Sequence, residues 1–474
     1  MSVDARTEVA DHGAMSDTTR ALMARFLEAT GVGSDATDVV LAPGGNLPSA
    51  FAVSDLAQAA VGAAAAALAR IVTAEGDRRA NVTVDRDLAS AWFAWSLRPD
   101  GWEVPAPWDA VAGDYAAADG WIKLHTNAPH HRAAAFGVLG VPAERGAVAA
   151  EVAHWTAEEL EMAVVEAGGA AAAMRSVDAW DAHLQGGAVA AEPLVHVERA
   201  TAAGAEDLPV LDPGRPLSGV RVLDLTRVLA GPVATRLLAG WGAEVLRIDP
   251  PDWDEPGVVP EVTLGKRCAR LDLAVDAERE RFLPLLASAD ILVHGYRPGA
   301  LDGLGQGADV RRAVRPGLVD VSLDAYGWPG PWAQRRGVDS RVQMSSGIAH
   351  AGMVATGGDR PVPLPVQALD HATGYLLATC ALAGLADRRA GVGGSTWRTS
   401  LAAMSRILVD TGIGPSTTGT AIHPADPDRG TPVEHTVWGD ARRLPPPVVV
   451  EGAPLRWDLA AGPLGSAEPA WLGD

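Results

Sequence analysis

The stretch GVRVLDLTRVLAGPVATRLLAGWGAEVLRIDP, residues 219–250, decides the fold of this chain of 474 residues. Two short apolar runs, 219–226 and 243–250, stand on either side of a segment, 231–242, whose apolar residues have helical spacing. Two buried strands joined by a helix form a βαβ unit, in which the strands are parallel. The stretch therefore predicts a parallel sheet covered by helices.

More strand-like runs follow this stretch. Residues 264–273, 290–296 and 317–327 are short and rich in apolar residues, and residues 277–289 have helical spacing. Strands that alternate with helices are typical of a parallel, doubly wound sheet. We therefore expect an α/β fold with a doubly wound parallel-sheet domain in the second half of the chain.

The first half of the chain has a different pattern. A turn at Asp119-Gly120 separates two strand-like runs, and two or three helical segments follow, which predicts a smaller α+β domain. Nearer the N-terminus, a helix is predicted at 14–30 and a loop at 31–48. The expected organisation is an N-terminal helical segment (1–111), the small domain (112–200), a linker (201–216), the doubly wound domain (217–412) and a loop-rich tail (413–474).

The composition limits the classes of ligand and partner that the protein is expected to bind. Lysine and arginine number 39 and aspartate and glutamate 59, so the formal net charge is −20. This charge disfavours nucleic acids and anionic membranes, although a few local cations could still hold one small anion. The two cysteines, Cys268 and Cys380, are too far apart in sequence to indicate a metal site. The polar N-terminus and the short apolar run at 61–72 predict a cytoplasmic protein without membrane contact.

The loop after the first predicted strand, LTRVLAGP (225–232), lies where nucleotide-binding folds hold phosphate groups at a helix N-terminus. It lacks the G-x-G-x-x-G pattern, so an NAD-dependent dehydrogenase is not supported. Five basic residues at strand ends or in loops are candidates for holding a phosphorylated ligand, against the alternative that each is a solvated surface group. They are Lys266, Arg267, Arg297, Arg335 and Arg336.

Two aspartates stand at the start of Ala-rich helical segments. Asp370 lies in QALDHATGYLL (367–377), and Asp55 lies in AVSDLAQAAVG (52–62), 315 residues earlier. The segments that follow them, 81–92 and 396–407, correspond at the same offset. From residue type alone, an aspartate in this place is either a helix cap or a reactive carboxylate, and a cap is the commoner role.

Five segments between Leu217 and Arg406 resemble, in the same order, motifs of the class III coenzyme A-transferase family, the formyl-CoA and carnitine-CoA transferase group. They are residues 219–251, 264–273, 289–305, 318–349 and 365–385. The resemblance implies a CoA-binding domain that transfers CoA from an acyl-CoA thioester to a carboxylic acid, with no permanently bound cofactor or metal. It also implies that Asp370 attacks the thioester, giving a mixed anhydride and then an aspartyl-CoA thioester.

The same resemblance implies contacts with CoA. Leu229 and Ala230 match a loop over the base and ribose, and Lys266 matches a lysine near the phosphates. Gly295 and Tyr296 match a segment beside the adenine. Arg297 is expected to replace an arginine that some members carry at the position of Gly303. The remaining predicted cations for the CoA phosphates are Arg267, Arg335 and Arg336.

The first half of the chain resembles the small domain of the same family, placed before the doubly wound domain instead of after it. We interpret the chain as one enzyme in rearranged order, with the aspartate–helix element present twice and Asp55 as a relic or pseudo-site. A mobile glycine loop of the family has no clear match. Family members form homodimers, so a homodimer is expected, unless the duplicated element supplies the contacts of a partner within one chain.

Two alternatives remain open. One is an acyl-CoA racemase or isomerase of the same superfamily, whose histidine would fall near Gly337, Val338 and Asp339 but has no counterpart in this stretch. The other is a catalytically degenerate CoA-binding or scaffold protein, which the rearranged order and the missing glycine loop would suit.

Overall fold

A computed structural model of the chain describes residues 5–33, 37–73, 80–106, 108–200, 210–414, 422 and 432–473, with side chains except those of 5–16 and 37. The linker predicted at 201–216 lies largely outside these ranges. The N-terminal elements are α1 (Ala5–Thr30), β1 (Thr37–Leu41), α2 (Val53–Thr73), β2 (Ala80–Val84), α3 (Arg86–Trp92) and β3 (Leu97–Pro99).

Two N-terminal predictions are wrong in detail. α1 begins at Ala5 and not at residue 14, because Ala, Arg and Glu in the preceding segment continue the helix. Residues 37–41, predicted as loop, form β1, which pairs in parallel with β2. Because the partner of β1 lies beyond α2 in sequence, local pattern gives little sign of this strand.

The small domain has its own sheet and core. Its elements are β4 (Gly113–Ala116), β5 (Trp121–Leu124), α4 (Pro129–Leu139), α5 (Arg145–Val152), α6 (Ala157–Glu166) and β6 (Ala171–Ala173). The predicted hairpin is confirmed, since β4 and β5 are antiparallel, and β6 pairs on the other side of β5. The apolar faces of the three helices close a separate core over this sheet, around Ile122, Leu139 and Leu160.

The end of the segment predicted as one small domain packs elsewhere. It forms α7 (Val177–Ala182), α8 (Leu184–Ala191) and β7 (His196–Arg199). Trp180, Val189 and Val195 belong to the main core of the protein, and β7 is an antiparallel edge strand of the large sheet. The first half of the chain is therefore tied to the second half by sheet pairing as well as by packing.

The second half forms the large sheet and its helices. Its elements are β8 (Arg221–Leu225), α9 (Ala230–Gly240), β9 (Glu244–Asp249), α10 (Val259–Val262), β10 (Lys266–Arg270), α11 (Asp276–Ala287), β11 (Ile291–His294), α12 (Ala300–Gly303), α13 (Ala308–Val314), β12 (Val319–Asp324), α14 (Asp339–Ser345), α15 (Ile348–Thr356), α16 (Ala368–Arg389), β13 (Ser395–Ser400) and α17 (Leu401–Asp410).

The strand order of this sheet is β10-β9-β8-β11-β12-β13-β7, and β8 to β13 are parallel. The predicted doubly wound α/β fold is therefore confirmed. The order reverses between β8 and β11, which makes a crevice at the carboxyl ends of these two strands. In open α/β sheets, such a switch point is where ligands bind.

The tail predicted as loop-rich contributes strands to the N-terminal part. β14 (Val433–Thr436) and β15 (Gly439–Arg443) form a hairpin that pairs with β3, and β16 (Val448–Val450) pairs with β2. β3 itself lies in the N-terminal segment that was expected to be helical. These short strands are stable through partners more than 300 residues away, as in the Arg443–Leu97 register pair.

The two aspartate–helix elements keep their correspondence in three dimensions. α2 and α16 begin at residues 53 and 368, β2 and β13 at 80 and 395, and α3 and α17 at 86 and 401. α2 packs along α16 in the main core. Among the described residues, α2 is the one helix that is long and apolar enough to cross a membrane. It is longer than the apolar run at 61–72. Of its most apolar 18 residues, 83% are buried inside the protein.

Candidate active site

Asp370 lies in the first turn of α16, as the third residue of the helix. α16 follows β12 along the chain and leads to the parallel strand β13, so its N-terminus lies at the carboxyl edge of the large sheet. Asp370 is 6% exposed. The carboxylate is therefore placed at the ligand-binding edge of the fold, just below the surface.

Asp339, and not Asp370, caps α16. The backbone N–H of Asp370 donates a hydrogen bond to Oδ2 of Asp339 at 2.9 Å, while the N-cap residue Gln367 makes no side-chain cap. The other oxygen of Asp339 accepts from the amide of Gln343, whose own oxygen accepts from the N–H of Leu364 at 2.7 Å. The role of helix cap, which residue type alone favoured for Asp370, is thus filled by another residue.

Sequence reasoning missed Asp339. The surrounding stretch, residues 335–343, is where a racemase histidine would fall, and Asp339 is not among the predicted site residues. A signal was present, because an aspartate at the start of a helical segment, four residues before Gln343, is typical of a polar residue with a local partner. What it caps lies 31 residues further on, and this only the fold shows.

Burial controls the ionisation of both acids. Burial and then the charge of Asp339 raise the pKa of Asp370 well above its usual value. Burial raises the pKa of Asp339 to about 6, although its hydrogen bonds act in the opposite direction. In the part of the chain that the structure describes, no cation pairs with Asp370. A desolvated carboxylate of this kind is a strong nucleophile or base once it is ionised.

The loop after β8 lies against the first turns of α16. Leu229 and Ala230, both predicted CoA contacts, are the N-cap and first residue of α9. Gly374 lies so close to them that a Cβ on it would be 2.4 Å from the carbonyl oxygen of Ala230. The loop is also strained, since Val228 has φ 64°, which is unfavourable for a β-branched residue. Asp370 is therefore one helical turn from the predicted CoA loop.

Aromatic side chains line the switch point. Gly295 and Tyr296 directly follow β11, and Gly295 is exposed. The guanidinium of Arg227 lies 4.7 Å from the ring centroid of Trp253 and 5.5 Å from that of Tyr296. The structure thus brings Gly295 and Tyr296 to the same crevice as Leu229 and Ala230, with a cation and two rings that suit a nucleotide base and its phosphates.

Two of the predicted cations are near this crevice. Arg297 is exposed and donates to the carbonyl of Gln334 at 3.3 Å, while Arg336 is close enough for the two charges to oppose each other. Burial and then the charge of Arg297 lower the pKa of Arg336. Two like charges held together at the rim of a crevice are favourable for a phosphate group.

Three other predicted cations are engaged elsewhere. Lys266 is buried, with Nζ 2.9 Å from Asp224 and 2.8 Å from the carbonyl of Pro232. Arg267 contacts Glu244, at the amino end of β9, and donates to the carbonyl of Ala470. These two therefore do not face the crevice, because the one is in the core and the other at the opposite edge of the sheet.

Arg335 joins the two domains. Its guanidinium is 3.9 Å from the ring centroid of Trp332, 2.9 Å from Glu161 of the small domain, and 3.1 Å from the carbonyl of Ala171. With these partners its geometry supports a structural role, and a phosphate contact would require it to leave Glu161.

Asp55 has a different environment from Asp370. Both are the third residue of their helices and both are 6% exposed. Arg86 donates to the two carboxylate oxygens of Asp55 at 3.1 and 2.9 Å, and Thr19 donates to it at 2.7 Å. The charge of Asp55 is neutralised in this way, and its lone pairs are occupied, so it is poorly suited to attack a substrate.

Comparison with known proteins agrees with this geometry. The sequence model of CoA-transferase family III matches residues 217–433, which contain the large sheet, the crevice and Asp370. Residues 217–433, slightly less than half of the chain, are thus similar to CoA-transferase family III. These residues, called the family III segment below, contain all five motifs found between Leu217 and Arg406.

Several curated relatives align with the family III segment. A probable fatty acyl-CoA transferase of Mycobacterium tuberculosis is 36% identical over 195 residues, which cover 38% of this chain and 49% of the relative. The succinyl-CoA:glutarate CoA-transferase of Mus musculus is 37% identical over 199 residues, or 38% of this chain and 44% of the relative. The chain spans about half the length of these relatives.

A third relative and a solved structure have a similar extent. The acetyl-CoA:oxalate CoA-transferase of Acetobacter aceti is 32% identical over 197 residues, 38% of this chain and 50% of that protein. A crystal structure of the Mycobacterium tuberculosis protein has 32% identity, covers 40% of this chain and 55% of its own, and gives a TM-score of 0.37.

Proposed function

We propose that this protein transfers coenzyme A from an acyl-CoA thioester to a carboxylic acid, with Asp370 as the group that accepts the acyl chain. The observation that carries the proposal is the unpaired carboxylate of Asp370 at the carboxyl edge of the sheet, one helical turn from the loop at Leu229 and Ala230. The match of residues 217–433 to CoA-transferase family III supports the reaction class.

The reaction proceeds in four displacements. The Asp370 carboxylate attacks the thioester carbonyl and the C–S bond breaks. CoA departs as the thiolate, and a mixed anhydride of Asp370 and the donor acid is formed. The thiolate attacks the aspartyl carbonyl and releases the donor acid, which leaves an aspartyl-CoA thioester. The acceptor carboxylate attacks that carbonyl and again frees the thiolate. The thiolate then takes the acceptor acyl group from the new anhydride, which regenerates Asp370.

The surroundings of Asp370 suit a group that must attack and leave repeatedly. Burial strips water from the carboxylate and makes it more nucleophilic, while the N-terminus of α16 favours its anionic form. Asp339 holds the backbone of Asp370 in place through the 2.9 Å hydrogen bond. The charge of Asp339 also opposes ionisation of Asp370, so the two carboxyl groups titrate as a coupled pair.

CoA would occupy the crevice between β8 and β11. The base and ribose would contact the loop at Leu229 and Ala230 and the segment at Gly295 and Tyr296, while Arg297 and Arg336 would hold phosphate groups. Arg227, which the sequence did not single out, would stack with the base or reach a phosphate. The names of the relatives pair a CoA thioester with a dicarboxylic acid in two cases, so small dicarboxylates are the first acceptors to test.

A trapping experiment tests the proposal. The protein is incubated with fatty acyl-CoA, succinyl-CoA or acetyl-CoA, treated with hydroxylamine, and digested for mass spectrometry. A hydroxamate on the Asp370 peptide is the expected result. A hydroxamate on the Asp55 peptide would reverse the assignment of the two aspartates, and CoA binding without any hydroxamate would favour a scaffold protein.

A second candidate function follows from the Asp339–Asp370 pair. Two neighbouring buried carboxyl groups with raised pKa values can also move a proton to and from the α-carbon of an acyl-CoA, as in an acyl-CoA racemase or isomerase. Deuterium incorporation from D₂O into a chiral 2-methylacyl-CoA, without acceptor acid, would favour this alternative over transfer. Unchanged substrate under those conditions, with turnover on adding a dicarboxylate, is the result that we expect.

The assembly is part of the same proposal. A homodimer is the arrangement implied by the resemblance. The packing of α2 along α16 within one chain suits the alternative, in which the duplicated element supplies the contacts of a dimer partner and the protein is a monomer. Light scattering at several protein concentrations distinguishes the two.

A further inference from the structure

Arg341 is a buried cation without a counter-ion in the described part of the chain. It lies in α14, is 1% exposed, and its Nε and Nη1 atoms have no hydrogen-bond partner. Two other arginines with equally buried side chains, Arg236 and Arg247, form ion pairs with Glu261 and Asp249. Burying a charge without a partner is costly, so an unpaired guanidinium in a folded core needs an explanation.

Two imidazoles of the small domain face this guanidinium. His125 follows β5 and His131 lies in α4, with their ring centroids 6.4 Å apart. Burial and then the charge of Arg341 lower the pKa of each to about 3, so both rings are neutral at pH 7. The Nδ1 atoms of both are buried and have no hydrogen-bond partner among the residues that the structure describes.

The hydrogen on His131 can be placed from its neighbour. Arg336 Nη1 is 3.3 Å from His131 Nε2, and a guanidinium can only donate, so Nε2 accepts. In a neutral ring the other nitrogen then carries the hydrogen, which makes Nδ1 of His131 a donor. The missing partner of this cluster is therefore an acceptor, since Arg341 and His131 both offer N–H groups.

The nearby acid does not fill this role. Glu161 is the carboxylate whose charge reaches Arg341, but its oxygens already accept from Arg175 at 2.6 Å, from Arg335 at 2.9 Å and from the N–H of Ala173 at 3.0 Å. With Arg335 and Arg336 close by, the surroundings of Arg341 carry excess positive charge.

We propose that Arg341, His125 and His131 form an oxyanion-binding site between α14 and the small domain, which takes a carboxylate or phosphate group of a small molecule. The planar guanidinium would bind two oxygens, and Nδ1 of His131 would donate to one of them. The site does not include Asp370, and its test with inorganic phosphate does not require the proposed transferase reaction.

Thermal unfolding with inorganic phosphate tests the site. At pH 7.5 and constant ionic strength, sodium chloride is replaced stepwise by sodium phosphate. A saturable rise in Tm of about 2 °C is expected for the wild-type protein. Acetate, CoA and CoA without its 3′-phosphate are titrated in parallel. Loss of the phosphate effect at saturating CoA would assign the anion to CoA, and an unchanged effect in CoA would assign it to a separate acid.

Variants provide the control. Arg341→Met should abolish the saturable rise while unfolding in chloride at the same or a higher temperature, because it removes an unpaired buried charge. Arg312→Met, at an exposed arginine of α13 paired with Asp309, should retain the full response. His131→Gln gives a second measurement by calorimetric titration, with phosphate affinity about tenfold lower. Equal responses of wild type and Arg341→Met, or no response of the wild type, would overturn the proposal.

Discussion

Asp339 caps the helix that presents Asp370, through a hydrogen bond of 2.9 Å from the backbone N–H of Asp370 to Oδ2 of Asp339. One carboxyl group thus holds the backbone of α16, while the other has no cation partner among the described residues. This division of roles separates Asp370 from Asp55, whose equally buried carboxylate is engaged by Arg86 and Thr19.

The first prediction concerns the pH dependence of transfer. Asp370 must be ionised to attack, so kcat/KM should rise with pH until its raised pKa is passed. Asp339→Asn removes the second cause of that shift and should move the acidic limb to lower pH. The measurement is kcat/KM from pH 4.5 to 9. Asp324→Asn, at another buried acid, should leave the limb in place. An unmoved limb in Asp339→Asn would show that Asp339 does not control the ionisation.

The second prediction separates the two aspartates. Asp370→Asn should lose transfer activity by at least about a thousandfold, with little change in stability, since no ion pair is broken. Asp55→Asn leaves Arg86 buried without its counter-ion and should lose about 3–5 kcal/mol of unfolding free energy. Its kcat should remain within a few-fold of wild type below its Tm. Denaturant unfolding and steady-state assays measure the two effects, and a stable, inactive Asp55→Asn would contradict the assignment.

The third prediction concerns the contact of α9 and α16. In Gly374→Ala the new Cβ would be 2.4 Å from the carbonyl oxygen of Ala230 and 2.9 Å from Cβ of Val233, so the helices must separate. We expect a loss of about 1–3 kcal/mol in stability and a raised KM for acyl-CoA. Gly137→Ala in α4 is the control, because nothing lies within 4 Å of its Cβ. It should be neutral or stabilising by about 0.5–1 kcal/mol. Equal KM values would separate Gly374 from CoA binding.

The fourth prediction uses Asp324, at the carboxyl end of β12. Burial raises its pKa to about 7, with Glu192 adding to the effect. Between pH 4 and 7 the folded state holds a proton that the unfolded state has lost, so stability falls as pH rises through this range. The loss is about 4 kcal/mol at most. Asp324→Asn should therefore show a smaller fall in Tm from pH 5 to pH 8.

Asp320 is the control of opposite sign. Its pKa is lowered, despite its burial, by His294 and Arg311, so its stabilising effect is present above pH 4 and lost as pH falls. Asp320→Asn should be most destabilised, relative to wild type, at neutral pH. If Asp324→Asn and wild type have parallel Tm profiles, Asp324 is ionised throughout this range.

Much of the large sheet could be predicted from the sequence. Its strands are apolar runs separated by helical segments. The apolar composition of each run predicts a buried strand without knowledge of its partners, as in residues 219–226 and 290–296. β1 and β16 could not be predicted in the same way. Each is short and depends on pairing with β2, which lies far from it in sequence.

The cations illustrate the same limit. Lys266 and Arg297 both stood beside predicted strands, and residue type does not show which way a side chain turns. Parallel pairing placed Lys266 at the start of β10, where Asp224 of β8 draws its ammonium group into the core. Arg297 follows β11 and reaches the carboxyl edge instead.

The sequence by itself determined the order of strands and helices in the second half of the chain and the place of Asp370 at a helix start, because periodicity and helix signals are local. Only the tertiary structure decided which of the two aspartates has a cation partner among the described residues. Asp55 and Asp370 have the same helix position and the same exposure, but their partners differ. Arg86 and Thr19 donate to the carboxylate of Asp55, whereas Asp339 accepts from the backbone N–H of Asp370. Charge neutralisation depends on distance in space, which a local pattern does not contain.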